Sequence, residues 1–335
     1  MAKGNIEEEA RATDSAQESP VVAGDSDDMD AGVDQEPASD GEDPIDRLIT
    51  AVQQDGVFSD SKLNKPVADY VQERILDYKN ILDKYNIFVY YDENRLTSSD
   101  ADNLYKCVRE SSGDKPLLLV LHSIGGSIEP AYFMSKICRE HTDKEFHVAV
   151  PRRAKSAATL LACGADKIHM GSMSELGPID PQIKGLPVLA LKSALKDIAD
   201  MTVEAPGASN LFATYLSKVL KLEQLGYYER VAESACQYAE RLLKARKSKP
   251  GRAPDEISRD LVYQYKDHGF VIDAKEAGEV FGDGTVVTGT EEYQFSDALY
   301  TTLRYVAMCV DLLAKRRFYY VGDLSSGANT MQKRS

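Results

Sequence analysis

Residues 117–127 read LLLVLHSIGGS and residues 146–163 read FHVAVPRRAKSAATLLAC. Each is a short apolar run that ends in a turn of small residues and passes into a helical pattern. In the first turn, the glycine pair Gly125-Gly126 lets backbone N–H groups approach a ligand oxygen with no Cβ in the way. In the second, Arg153-Ala154-Lys155-Ser156-Ala157-Ala158 carries a strand end into a helix of small residues. A serine at a helix start is ordinarily an N-cap. On successive strands of one parallel sheet, however, the two turns can converge. The N–H groups of Gly126 and Ala157 would then face an oxyanion forming on a carbonyl attacked by Ser156, as acyl transfer requires.

Outward from these turns the same alternation continues. Strands are expected at Ile87 to Tyr91, Leu117 to His122, Phe146 to Pro151 and Lys167 to Met170. Helices are expected at Ser99 to Glu110, Glu129 to Glu140 and Ser156 to Cys163. Strand, helix and strand at this spacing imply right-handed βαβ crossovers and a mostly parallel α/β sheet, whose ligand sites form at the carboxyl ends of the strands. After Gly185 the pattern is mainly helical: Val188 to Met201, Leu211 to Leu222, Glu223 to Lys247 and Glu291 to Arg317. Before the first strand, apolar residues at helical spacing (Leu48, Ile49, Val52, then Val71, Ile75, Leu82) predict a helical arm over 47–85.

Composition bounds the function. The net charge is −14, and residues 1–46 hold 15 Asp/Glu against only Lys3 and Arg11. That stretch has too few large apolar side chains to offset chain entropy, so a disordered acidic tail is expected. The remainder is nearly neutral, which argues against a nucleic-acid partner, since displacing counterions from phosphates needs a basic face. The basic run from Lys244 to Arg252 sits beside Pro250 and Gly251 and reads as a solvated loop. Five widely spaced cysteines without metal or redox spacing read as reduced, buried thiols and point to a cytoplasmic setting. No apolar run approaches ~18 residues and the N-terminus has no apolar leader pattern, so neither membrane insertion nor secretion is expected.

The run SIGGS, then AKSAATLLACGADKI, then SELGPIDPQI resembles the Clp proteolytic subunit and signal peptide peptidase A superfamily, and within it the serine dehydrogenase proteinase branch. The likeness covers about Ile87 to Asp283. It implies a ClpP/crotonase-like spiral of βαβ units over 86–320, with extra C-terminal helices and a flexible terminus at 321–335. It implies Ser156 as nucleophile and an oxyanion hole at the glycine pair, Gly125 and Gly126, with Ala157. It also implies a serine peptidase acting on peptides or unfolded segments, assembled as a homo-oligomer, with an unfoldase or other regulatory partner possible. Ile124 departs from the family, which has proline before the glycine pair. The word dehydrogenase finds no support in the residues: no GxGxxG follows a strand and no lysine context suggests a Schiff base, so no cofactor is expected. No metal is expected either, because His122, His141, His147, His169 and His268 show no paired spacing.

The general base is left open by the sequence. Where the Clp branch has its histidine, about 25 residues after the serine, this chain has Asp180. Near the branch's orienting aspartate it has Asp267-His268-Gly269. A permuted triad, with His268 as base and Asp180 orienting it, satisfies the spatial roles. A Ser–Lys dyad is the competitor, with Lys155, Lys192 or Lys218 as candidates. A degenerate, peptide-binding or scaffold role is the alternative to catalysis. Thioester chemistry is disfavoured, since it needs no nucleophile at this turn. The apolar face of the last long helix (Phe295, Leu299, Leu303, Val306, Val310, Leu313) suits either an interface between copies or the chain's own sheet.

Overall fold

The computed structural model describes residues 43–53, 60–180, 182–183, 186–219, 222–282 and 284–332. The acidic tail expected over 1–46 lies outside these residues as far as Glu42, and Pro44 already opens a helix. Helices α1 (Pro44–Gln53) and α2 (Asp60–Arg74), a short 3-10 turn and α3 (Lys79–Lys84) lead into strand β1 (Asn86–Asp92). Helix α4 (Ser98–Val108) follows, started by a capping box in which Asp100 Oδ2 accepts from Thr97 N–H at 2.7 Å. Next come β2 (Leu117–Ser123), α5 (Ile128–Glu140), β3 (Phe146–Val150), β4 (Arg153–Ala154), α6 (Ala157–Ala162), β5 (Lys167–Met170) and β6 (Glu175–Leu176).

The second half opens with a hairpin of β7 (Gln182–Ile183) and β8 (Leu186–Pro187). It continues through α7 (Val188–Glu204), α8 (Ser209–Val219), α9 (Leu222–Lys244), α10 (Pro254–Arg259) and α11 (Ala274–Phe281), then β9 (Val286–Thr288), α12 (Glu291–Ala314), β10 (Arg316–Asp323) and β11 (Ala328–Gln332).

The main sheet runs β11-β10-β1-β2-β3-β5-β9, and β4 branches from β2 to pair with β6. Strands β1, β2, β3, β5 and β9 are parallel, whereas β10 and β11 add an antiparallel edge. The unbroken apolar run of β2 has a simple cause: both faces of the strand are buried. Leu117, Leu119 and Leu121 pack with α5, α6 and α9, while Leu118 and Val120 face α12 and the N-terminal helices. Asp166, in the GADKI stretch, is a structural tie. It accepts from Phe146 N–H at 2.8 Å, Lys247 N–H at 2.6 Å and Ser248 N–H at 2.8 Å.

Two expectations need correction. Residues 321–332 are not a flexible terminus: β10 pairs with β1 in register Phe88↔Asp323 to Tyr91↔Tyr320, and β11 pairs with β10. The Ser-rich stretch that reads as a tail is a hairpin turn, in which Asp323 Oδ1 accepts from Ser325 and Ser326 N–H and Asn64 Oδ1 accepts from Gly327 and Ala328 N–H. The long helix stops at Ala314 and not at Arg317, because Lys315 turns left-handed (φ 54°) and the chain enters β10. Of the two surfaces left open for the α12 face, the chain's own is the one covered: Phe295, Leu299, Leu303, Val306 and Val310 are buried against its sheet and N-terminal helices. Burial on that face is what stabilises the cover of the sheet, at about 1.5–3 kcal/mol per large side chain. Of the six apolar residues named on that face only Leu313 is exposed.

Cys138, Cys163, Cys236 and Cys309 are buried and Cys107 is half-buried. Burial pushes the thiols of Cys138 and Cys163 up to about 12, so both stay protonated and inert. No helix among the described residues is long and apolar enough to cross a membrane.

Candidate active site

The two turns singled out by sequence meet at the carboxyl ends of β2 and β4. Ser123 closes β2, pairs with Ala154 and accepts from Lys155 N–H through its carbonyl at 3.0 Å. Gly125 then turns left-handed (φ 94°), its N–H donating to Ser123 Oγ at 3.1 Å. A Cβ on Gly125 would stand 2.6 Å from Lys155 O, 2.9 Å from Ser156 Cβ and 3.2 Å from Ala157 N. Only glycine permits this approach. Gly126 is equally constrained from the other side, where a Cβ would lie 2.3 Å from Leu96 N. Leu96 clamps the glycine turn, donating to Gly125 O at 2.9 Å and accepting from Ser127 N–H at 3.0 Å. Sequence reading missed Leu96, which carries no chemistry: its backbone clamps the turn while its side chain is buried in the core.

Ser156 occupies the N-cap position of α6 at φ 51° and ψ −113°, a conformation an L-residue adopts only under strain. Its hydroxyl makes no capping bond. The ordinary reason for a serine at a helix start is therefore missing here. Among the described residues, the N–H groups of Gly126 and Ala157 have no hydrogen-bond acceptor. The helix start is locked by Thr159, whose Oγ1 donates to Ala154 O at 2.6 Å and accepts from Gly177 N–H at 3.1 Å.

That lock joins the serine turn to the loop after β6, which carries Asp180. An antiparallel bridge between Leu176 and Ile272 then brings in the segment carrying His268. His268 Nδ1 lies 3.9 Å from Asp180 Oδ2, close enough for an ion pair but beyond a hydrogen bond. Asp180 is 2% exposed. Burial raises its carboxyl to about 6, and partial burial lowers the His268 imidazole below its ordinary value. Asp180 Oδ1 and His268 Nδ1 are both shielded from solvent with no partner.

The lysine candidates are placed differently. Lys155 Nζ reaches Glu175 Oε2 at 2.9 Å, Phe270 O at 3.0 Å and Leu176 O at 3.2 Å, which occupies its three donors. Lys218 is exposed on α8. The Lys192 side chain falls outside the described residues. The structure thus places Gly125 against Ser156 and Asp180 within 3.9 Å of His268.

Over residues 81–221 the chain matches the family model of the ClpP-like SDH-type serine proteinases. That stretch is similar to the ClpP-like proteinases. Two uncharacterized proteins of Methanocaldococcus jannaschii resemble part of this chain. One is 35% identical over 101 residues, covering 30% of this chain and 35% of the relative. The other is 30% identical over 99 residues, covering 30% and 34%. The match thus spans about a third of the length of these curated relatives. Among solved structures, a mutant of the 1510-N membrane-bound stomatin-specific protease aligns with TM-score 0.38 at 12% identity, covering 61% of this chain and 80% of that one. ClpP1 from Listeria monocytogenes aligns with TM-score 0.38 at 13% identity, covering 65% and 99%.

Proposed function

We propose that this ClpP-like chain is a serine peptidase that hydrolyses peptides or unfolded protein segments through an acyl-enzyme on Ser156. The observation that carries this is the strained φ of Ser156 with its hydroxyl uncommitted, packed against Gly125. Strain of this kind costs of order 1–3 kcal/mol and persists where the backbone is held for a purpose. In this proposal the Ser156 hydroxyl attacks the scissile carbonyl, and the vacant N–H groups of Gly126 and Ala157 receive the oxyanion, with Gly125 shaping the hole. His268 takes the serine proton and Asp180 holds its ring, the 3.9 Å gap closing when substrate excludes water. Lys155 is a positioning residue that fastens the serine turn to the Glu175 strand and to Phe270. The exposed side chains of Ile124 and Phe270 offer apolar surface to an extended peptide on the segments either side of the serine.

The same proposal includes a cytoplasmic homo-oligomer and leaves room for an unfoldase or other regulatory partner, with no role for nucleic acid, membrane or cofactor. A catalytically degenerate, peptide-binding or scaffold protein is the second reading, favoured by the unbonded state of His268 Nδ1 and Asp180 Oδ1. A fluorophosphonate probe separates the two. Labelling that vanishes in Ser156→Ala supports the peptidase, and no labelling of folded, assembled wild type supports the binding protein.

A further inference from the structure

A second cluster of ionisable side chains lies on the other face of the sheet from α6, where it takes no part in the serine chemistry. His147 on β3 and His169 on β5 both project toward the face covered by α12, alternating with residues of the α6-side core. They are separated by a whole βαβ crossover in sequence, which is why no local spacing revealed them. In space His147 Nδ1 is 2.9 Å from His169 Nε2. Glu292, in the first turn of α12, puts Oε2 3.7 Å from His169 Nδ1, and Tyr85 Oη bridges the two sides, 3.1 Å from His147 Nδ1 and 2.8 Å from Glu292 Oε1. One ligand atom from each of His147, His169 and Glu292 can be chosen so that all three lie within 4.8 Å of one another, and all three residues are buried.

The outer nitrogens are already held. His147 Nε2 lies 3.2 Å from Glu145 Oε2, and His169 Nδ1 lies 2.9 Å from Thr290 Oγ1. Oxygen partners of this sort fix the tautomer of metal-binding imidazoles and aim the remaining lone pair inward. With the two N–H groups turned to Glu145 and Thr290, two lone pairs face each other across 2.9 Å. Something must separate those lone pairs: either a ring N–H shared between the two nitrogens, with the Thr290 hydroxyl reversed, or a metal ion.

We propose that His147, His169 and Glu292 form a binding site for one zinc-class divalent ion, with the position of the Tyr85 hydroxyl open to that oxygen or to water. Two imidazoles and a carboxylate are borderline N/O donors that suit zinc and its neighbours better than magnesium or calcium. Tetrahedral zinc places ligand nitrogens about 3.3 Å apart, so the rings need to separate by only a few tenths of an ångström. The one opposing feature is Lys84, whose Nζ bonds Glu292 Oε1 at 3.0 Å. Its side chain is 54% exposed and can swing into solvent as the ion enters. The ligands come from β3, β5 and α12, so the ion would pin the start of α12 to the sheet. Its role would be structural and not catalytic.

The test uses the full chain, stripped with a chelator, loaded with zinc chloride and desalted. The expected result is one zinc per chain by atomic emission, a zinc-dependent rise in Tm, and visible d–d absorption when cobalt(II) replaces zinc. His147→Gln with His169→Gln should abolish all three. Because those variants alter a buried cluster, two exposed-side variants serve beside them. Glu145→Gln should weaken zinc about tenfold by loosening the His147 ring, and Lys84→Met should tighten it by removing the competing cation. Stripped wild type that takes up no zinc, or uptake unchanged in the histidine pair variant and insensitive to Lys84→Met, overturns the site. Fluorophosphonate labelling of Ser156 is independent of these readouts, so failure of one proposal leaves the other standing.

Discussion

Gly125 and Ser156 are packed so closely that a methyl group on the first would stand 2.9 Å from the Cβ of the second and 2.6 Å from Lys155 O. Neither neighbour is the free end of a flexible side chain, so the turn itself must move. Gly125→Ala is therefore expected to cost about 2–4 kcal/mol through clash and positive φ together, and to remove fluorophosphonate labelling. Chemical denaturation and gel labelling of the same sample measure both. A Gly125→Ala protein that labels like wild type would separate the glycine from the serine's chemistry.

The backbone strain at Ser156 predicts an ordering of its own variants. Both Ser156→Ala and Ser156→Gly should lose labelling. Glycine tolerates φ 51° without a Cβ penalty, so Ser156→Gly should be more stable than Ser156→Ala by about 1 kcal/mol, even after its larger loss of chain entropy. Glycine also outranks alanine at an ordinary N-cap, so a pair of denaturation midpoints that shows the two variants equally stable would contradict the strain.

Asp180 links stability to pH. Its carboxyl is raised to about 6 by burial, above its value in the unfolded chain. The contribution is fully present below the unfolded pKa and is lost as pH rises through about 6, because the buried carboxyl must then ionise. Asp180→Asn should therefore be more stable than wild type at neutral pH by about 1–2 kcal/mol, with the gap closing toward pH 4. The same substitution should slow acylation by removing the group that holds His268. In wild type the acylation rate should rise with pH through a histidine pKa below the ordinary 6.5, since burial lowers His268. Melting curves that run parallel for the two proteins from pH 4 to 8 would contradict the stability argument. Full acylation in His268→Gln would contradict the catalytic one.

The C-terminal hairpin should matter to stability. Asn64 Oδ1 accepts from two backbone N–H groups at its turn, Gly327 at 3.2 Å and Ala328 at 2.9 Å. Asn64→Leu leaves both without a partner and is expected to cost about 1–3 kcal/mol, read as a lower Tm. Deleting residues 324–335 removes β11 and leaves β10 as an open edge, which should lower Tm further and promote aggregation. A deletion variant with wild-type Tm would restore the view of this segment as a loose end.

The parallel sheet was legible in the sequence because β1, β2, β3 and β5 are apolar runs whose length and spacing leave little choice. The convergence of the Gly125 and Ser156 turns was legible too, since strand order follows from right-handed crossovers. The edge was not. Residues 316–332 mix Arg, Tyr, Gly, Asp and Ser, and their strand character rests on pairing with Phe88 to Tyr91 rather than on local pattern. The buried pair His147 and His169 escaped for the same reason: its proximity is a property of strand register. Both residues fall in correctly expected strands, and asking which side of the sheet each faces would have brought them together. The use of α12 was open in the sequence, because an apolar stripe does not say which surface it covers.

The pairing of Phe88 with Asp323 has a consequence for how the molecule comes into being. During synthesis the first strand emerges early, with the serine turn soon after, yet the strand that seals its flank is made near the end of the described chain. Contacts so distant along the chain form slowly. Until β10 arrives, β1 is an unsealed edge and the face that α12 will cover is bare. A nascent chain thus carries the elements around Ser156 long before it can hold them in a finished body, and competence for any chemistry there is deferred until β10 has been made. Chaperone demand should accordingly peak while the stretch between β6 and β10 is being made.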